Sequence, residues 1–287
     1  MSSSLSLFDL IPGKVLLDRY SLLRPHRESG MSATFEVEDQ LDGGRREVQV
    51  FPAGLFESRD QGAEFSELLG KWAGIKSPVF PSVHAIHVLD DGSVLTVADF
   101  PSGQSVRSWL GDNPRMIVQD VRQMAISLLE GLVEIHGLGL VHGDIKPQTL
   151  YFVSGENRVT IVDGGVTTGL WAAKHMGTRT ALIGTPYYAP LEQFSGESPD
   201  ISSDLYNLAT VMYEMSSGAL PWAGKGFLEV FQSKMQKIPP RMADRAHGLD
   251  IDVGFEEVVL YGLSGERRNR YQSAEEFLTA LETVELG

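Results

Sequence analysis

His142-Gly143-Asp144-Ile145-Lys146-Pro147-Gln148-Thr149 places a carboxylate and an ammonium two positions apart, flanked by a histidine and a threonine. Asp163-Gly164-Gly165 supplies a second carboxylate after the apolar stretch Val159–Val162. Two acids of this kind repel each other unless loop N–H groups or a cation satisfies them. Chemistry is therefore expected here. Gly184-Thr185-Pro186, Pro190-Leu191-Glu192 and Asp204-Leu205-Tyr206 follow in order, and Arg270 stands in an Arg-Asn-Arg-Tyr-Gln-Ser stretch near the end. The chain has no cysteine, which excludes disulfides, thiolate catalysis and cysteine-based zinc sites.

The elements that must position these residues change character at Pro101-Ser102-Gly103. Before it, Arg19–Glu28, Ala33–Glu38, Arg46–Phe51, Val83–Leu89 and Val94–Phe100 read as strands, with turns at Gly43-Gly44 and Asp90-Asp91-Gly92. One helix, about Glu57–Trp72, carries Phe65, Leu68, Leu69 and Trp72 at helical spacing. After the break the pattern is helical. Val118–Leu138 repeats apolar residues every three or four positions. Ser203–Ser217 has Ser202 or Ser203 as candidate N-cap and Gly218 past its end. Gly226–Met235, Val253–Leu263 and Ser273–Glu285 complete the set, and Ser273 with Glu276 forms a capping box.

The 287 residues, 42% hydrophobic and 22% charged, suffice for one large domain or two packed lobes. Lys and Arg total 24 against 38 Asp and Glu, a net charge of −14. That excess argues against nucleic acid or anionic lipid as a partner. No apolar run approaches the roughly 18–20 residues of a membrane span. The start lacks a basic residue before its apolar residues, which argues against a signal peptide. The expectation is a cytoplasmic acidic protein whose partner is another protein.

The ordered motifs resemble the Ser/Thr protein kinase family in its bacterial branch, over about Tyr20 to Leu281. The resemblance implies an α+β bilobal kinase-like fold. Its parts would be an extension over 1–18, a small β-rich N-lobe with one main helix over 19–100, a hinge over 101–104 and a mostly helical C-lobe over 105–287. It implies Asp144 at the catalytic-base position with Lys146 beside it, and Asp163 at a metal-ligand position. It also implies scaffold roles: Glu192 and Arg270 as a buried ion pair, Asp204 as acceptor of catalytic-loop N–H groups, and Trp222 as an apolar anchor.

Several positions depart from the family's pattern. The glycine loop that should cover phosphates aligns with Arg27-Glu28-Ser29-Gly30-Met31-Ser32-Ala33-Thr34, with side chains where the backbone needs glycine. Arg27 is there either a phosphate ligand or a solvated loop arginine. Phe51 replaces the third-strand lysine and leaves Glu64 or Glu67 without a cation. Gln49, Thr34, Ala98 and Tyr151 stand at nucleotide-pocket positions, where Gln49 and Tyr151 either fill the adenine volume themselves or, in the case of Tyr151, stack on a purine. Thr149 replaces the metal-binding asparagine, so it is at most a weak metal ligand. Gly143 replaces the arginine that would grip a phosphate on Thr167, Thr168, Thr178 or Thr180. The expectation drawn from these losses is a non-enzymatic pseudokinase that binds other proteins and takes no cofactor. The alternatives are an atypical Ser/Thr kinase using ATP and magnesium with a displaced cation, or a nucleotide sensor.

Overall fold

A computed structural model describes residues 7–28, 31–156, 158–174 and 186–286. The chain forms two units, one of residues up to 77 with 81–101 and 172–174, the other of 78–80, 102–171 and the rest.

In the first unit β1 (Val15–Leu16), β2 (Tyr20–Glu28), β3 (Ala33–Asp39) and β4 (Arg45–Phe51) run as an antiparallel meander. Helix α1 (Arg59–Gly70) follows, N-capped by the Ser58 side chain, which accepts from the Gln61 N–H. β5 (Val83–Val88) and β6 (Val94–Asp99) complete a six-stranded sheet in the order β1-β2-β3-β4-β6-β5. The turns are those the sequence marks: Gly43 and Gly92 take left-handed φ of 70° and 88°. Leu22, Phe35, Val37, Val48, Val50, Leu95 and Val97 build a core on one face of this sheet. Glu47, Gln49 and Phe51, alternating with Val48 and Val50, lie on the other face and are also buried.

In the second unit β7 (Gln104–Ser105) leads into α2 (Val106–Asp112), and α3 (Val118–Gly137) buries Val121, Ala125, Leu128, Leu132 and Ile135 along one face. β8 (Leu150–Phe152) and β9 (Val159–Ile161) pair with β7 in a three-stranded antiparallel sheet. Short helices α4 (Val166–Ala173) and α5 (Leu191–Phe194) precede α6 (Ile201–Ser217). α6 is buried along nearly its whole length and ends at Gly218, φ 74°. Its N-cap is Asp200, in a capping box with Ser203, and not Ser202 or Ser203 as the sequence suggests: Asp200 can accept from the Ser203 N–H while the Ser203 hydroxyl accepts from the Asp200 N–H. α7 (Phe227–Lys234), α8 (Met242–Arg245), α9 (Val253–Gly262) and α10 (Ala274–Glu282) close the unit, and Ser273 caps α10 as expected. The architecture is the α+β kinase-like fold, with a β-sheet lobe and a helical lobe.

Candidate catalytic loop and strand site

In the helical unit the loop after α3 is held from below by α6. Asp204, fully buried at the first turn of α6, accepts from the backbone N–H groups of His142 and Gly143, both at 2.8 Å. Its Oδ2 also accepts from His136 Nε2 at 3.0 Å. Three donors and the positive end of a helix stabilise this buried carboxylate. His142 donates from Nε2 to the Val162 carbonyl at 2.9 Å and accepts at Nδ1 from the Asp144 N–H at 3.2 Å. One imidazole thus ties the loop to the end of β9, just before Asp163.

On this pinned loop the Asp144 carboxylate is ion-paired with the Lys146 ammonium, each about one-sixth exposed. Asp163 adopts a left-handed backbone, φ 67°, uncommon for a residue other than glycine. It opens a turn in which the Val166 N–H bonds the Asp163 carbonyl, and α4 starts there. Thr149 is 1% exposed and its hydroxyl is engaged by the loop: it accepts from the Lys146 N–H and can donate to the Lys146 or Asp144 carbonyl. Thr149 therefore holds loop shape rather than offering a metal ligand. Tyr151 is buried on β8, opposite Thr160 of β9 and Ser105 of β7.

The scaffold residues stand where expected. Arg270 grips Glu192 with both ends of its fork, Nη1 to Oε1 at 2.6 Å and Nη2 to Oε2 at 3.1 Å. It also donates to the Ser264 and Gly265 carbonyls, and its guanidinium lies 4.7 Å from the Tyr206 ring centroid. Burial alone would push the Glu192 carboxyl up, but Arg270 outweighs it and leaves it below the ordinary range. Trp222 donates to the Tyr206 hydroxyl at 2.7 Å. Lys234, which sequence reasoning missed, is fully buried on α7 and donates to the Tyr187 and Ala189 carbonyls. Burial drives its ammonium well below the usual lysine range, with Arg270 adding repulsion.

Gly143 also proves structural. Its φ is 85°, and a Cβ there would lie 2.9 Å from the Thr168 methyl. An arginine clamp cannot occupy this position in this loop. Thr167 is buried and Thr168 donates to loop carbonyls, while Thr178 and Thr180 lie outside the described residues.

The sheet unit gives a different picture of its own site residues. Arg27 is neither solvated nor on a loop. It lies at the end of β2, with Nη2 at 2.5 Å and Nε at 3.2 Å from the Glu47 carboxylate. Glu47 also meets His26 Nδ1 at 2.5 Å, and Ala98 is its register partner on β6. Ser29 lies outside the described residues. Gln49 does not depend on Tyr151 for a partner: it donates to the Ser32 hydroxyl at 2.9 Å and pairs in register with Thr34. Phe51 is fully buried and meets Phe65 of α1 edge-on, ring centroids 4.9 Å apart. Glu64 and Glu67 are exposed, so no charge is stranded. Where the resemblance implies a strand–helix ion pair, the chain has an aromatic pair. Lys174 donates to the Leu55 carbonyl, just past β4.

Among the described residues no three His, Cys, Asp or Glu side chains group as a metal site, and no helix is long and apolar enough to cross a membrane.

Residues 83–276 match the family model described as protein kinase domain. The chain is 23% identical over 272 residues to a probable serine/threonine-protein kinase PknB of Lactococcus lactis, covering 94% of this chain and 43% of that protein. It is 27% identical over 281 residues to serine/threonine-protein kinase PknB of Mycobacterium tuberculosis, covering 95% and 44%. The chain thus spans less than half the length of these relatives. The solved kinase domain of Mycobacterium tuberculosis PknI superposes with a TM-score of 0.72 at 20% identity, over 95% of this chain and 98% of that one. These relatives, named as kinases, overturn the expectation of a non-enzyme. That expectation weighed the lost glycines and lysine above the catalytic loop, whose carboxylate, ammonium and buried supports are all in place. By its motifs, its fold and the match over most of its length, the chain belongs to the protein kinase domain family.

Proposed function

We propose that the chain is an atypical ATP-dependent protein kinase acting on serine or threonine hydroxyls. The observation that carries this reading is the Asp144–Lys146 pair on a loop pinned by Asp204 and His142. Catalysis of phosphoryl transfer rests on positioning and charge stabilisation, and this loop supplies both. Asp144 is the group that accepts the proton of the substrate hydroxyl, and Lys146 holds that carboxylate in place.

The fit to nucleotide and magnesium is good on the helical unit. Magnesium is commonly held by one or two carboxylates together with substrate phosphates, so Asp163 meets the requirement without a three-residue cluster. When bound, ATP with magnesium supplies the phosphoryl group. Thr149 contributes loop shape only. On the sheet unit Phe51 offers no charge, and Arg27 is neutralised by Glu47.

The test is transfer of label from γ-labelled ATP, with magnesium or manganese, to a generic basic substrate. Asp144→Asn and Asp163→Asn are expected to abolish transfer while melting like the parent. Losing one preorganised charge-stabilising group typically lowers the rate about 10²–10³-fold. Wild-type transfer no greater than that of Asp144→Asn overturns the reading.

A further inference from the structure

Lys234 is a buried cation that phosphoryl transfer leaves without a task. It stands one turn after Val230 on α7, and both are buried. Its Nζ donates to the Tyr187 carbonyl at 3.0 Å and to the Ala189 carbonyl at 2.5 Å. The same atom lies 5.0 Å from the Tyr206 ring centroid and 5.7 Å from that of Phe194. Glu192 attracts it, but the Glu192 oxygens are gripped by Arg270, which repels it. Two carbonyl dipoles and two rings are therefore its surroundings.

Taking an ammonium out of water is expensive, and an apolar side chain would fill this place at less cost. What the lysine holds gives the reason. The Tyr188 carbonyl, between its two acceptors, takes a hydrogen bond from Asn207 Nδ2 at 2.8 Å. The Tyr188 hydroxyl donates to Glu214 at 2.6 Å and accepts from Arg107 at 2.7 Å. Side chains thus fix three successive carbonyls of a segment that lies outside helix and strand. Asn207 follows Asp204 by three residues on α6, on the same face and about 4.5 Å along the axis. Asp204 fixes the His142 and Gly143 N–H groups. One face of α6 therefore sets the segment at residues 187–189 beside the catalytic loop, and Lys234 secures it from α7.

An acceptor hydroxyl that reaches Asp144 brings the neighbouring residues of its own chain past this segment. We propose that Lys234 is a positioning residue, which fixes the backbone at residues 187–189 and thereby sets how tightly an acceptor polypeptide is held. The proposal rests on the kinase reading for the identity of the acceptor, and on the geometry of α6 and α7 for the rest. Lys234 touches neither Asp144 nor Lys146 in any recorded bond, so its loss acts on binding of the acceptor rather than on the proton transfer.

The test compares the parent with Lys234→Met, which keeps the bulk and removes the donors, and with Lys234→Arg, which keeps charge and donors. Val259→Ala, in the core of α9, controls for lost stability alone. The probe is a lysine-flanked serine peptide, and the readouts are amide hydrogen exchange, calorimetric binding of the peptide, and KM and kcat for label transfer. Lys234→Met should speed exchange over residues 187–189 about tenfold or more. It should raise the peptide Kd and KM about fivefold, with kcat and the KM for ATP within about twofold. Lys234→Arg should recover part of both effects, and Val259→Ala should melt lower without either. Unchanged exchange or unchanged peptide affinity in Lys234→Met overturns the proposal, as does a Val259→Ala protein that shows the same two changes. A fall in kcat with KM unchanged also overturns it. Failure of the kinase reading shows separately, as a parent that transfers no label; exchange and peptide binding then still decide the role of Lys234, and a peptide that binds parent and Lys234→Met equally, or neither, overturns it.

Discussion

Phe51 and Gly143 show how single positions hold this site in its present form. Phe51 is fully buried against Phe65, so a lysine there would carry its ammonium into an apolar contact. Truncating a buried phenylalanine costs about 3–5 kcal/mol, and an unpaired buried cation adds to that. Phe51→Lys is therefore expected to lower the melting temperature sharply and to leave label transfer no higher. A stable Phe51→Lys protein with raised transfer would show that the strand still accepts the family's cation. At Gly143 two effects act together, the left-handed φ and the 2.9 Å approach of the Thr168 methyl. Left-handed backbone costs an ordinary residue roughly 1–2 kcal/mol. Gly143→Ala should lose at least that much in denaturant unfolding. Adding Thr168→Ser removes the methyl and should restore part of the loss, since the backbone strain remains. Full recovery in the double variant would show that only the contact matters.

Elements carry the Glu192–Arg270 pair, which ties α5 to the stretch leading into α10. The Arg270 side chain is wholly buried, and it binds two carbonyls besides Glu192. Removing one partner of a buried pair typically costs about 3–5 kcal/mol, because the other charge is left unpaired. Arg270→Ala should therefore melt far below the parent, and a melting temperature unchanged within error would contradict the pairing. The pH dependence has a definite sign. Arg270 holds Glu192 below the ordinary 4.5, so the contribution is complete above that value and fades as pH falls through the folded-state value. In Arg270→Met this part of the acid sensitivity should vanish. Legibility followed burial. The helices α3 and α6, five of the sheet's six strands and the pairing partners Glu192, Asp204 and Arg270 were readable because apolar periodicities and scaffold motifs specify them, whereas β1, two residues long, was not. Helices α2 and α4 were missed: α2 is seven residues long and α4 follows two glycines, so neither shows enough turns for a period to stand out. Arg27 was misjudged because its partner Glu47 lies on another strand, and only the β2-β3-β4 register brings the two together. The buried Lys234 was not singled out, since its acceptors are backbone carbonyls that carry no sequence mark.

At the scale of the whole molecule the net charge of −14 makes the chain a field as well as a scaffold. A field of that sign raises the local concentration of cationic partners and speeds their encounter, and salt weakens it. The Debye length falls from about 10 Å at 0.1 M salt to about 3 Å at 1 M, so exposed charges lose most of their reach over that range. Exposed carboxylates such as Asp120 and Glu156 should feel this fully, whereas the buried Glu192–Arg270 pair should not. On the proposed reading Asp144 accepts the proton while Lys146 holds it, and that step depends on local geometry rather than on the distant field. Raising salt from about 0.05 to 0.5 M should therefore increase KM for a lysine-rich substrate several-fold and leave kcat within about twofold. A charge-neutral peptide with the same acceptor residue should show little change in either constant, and the melting temperature should hold across the series. An equal response of both peptides would mean that salt acts on the fold or the loop rather than on long-range attraction. A fall in kcat alone would place the sensitivity at the Asp144–Lys146 pair, and the acidic surface would then have no part in selecting the substrate.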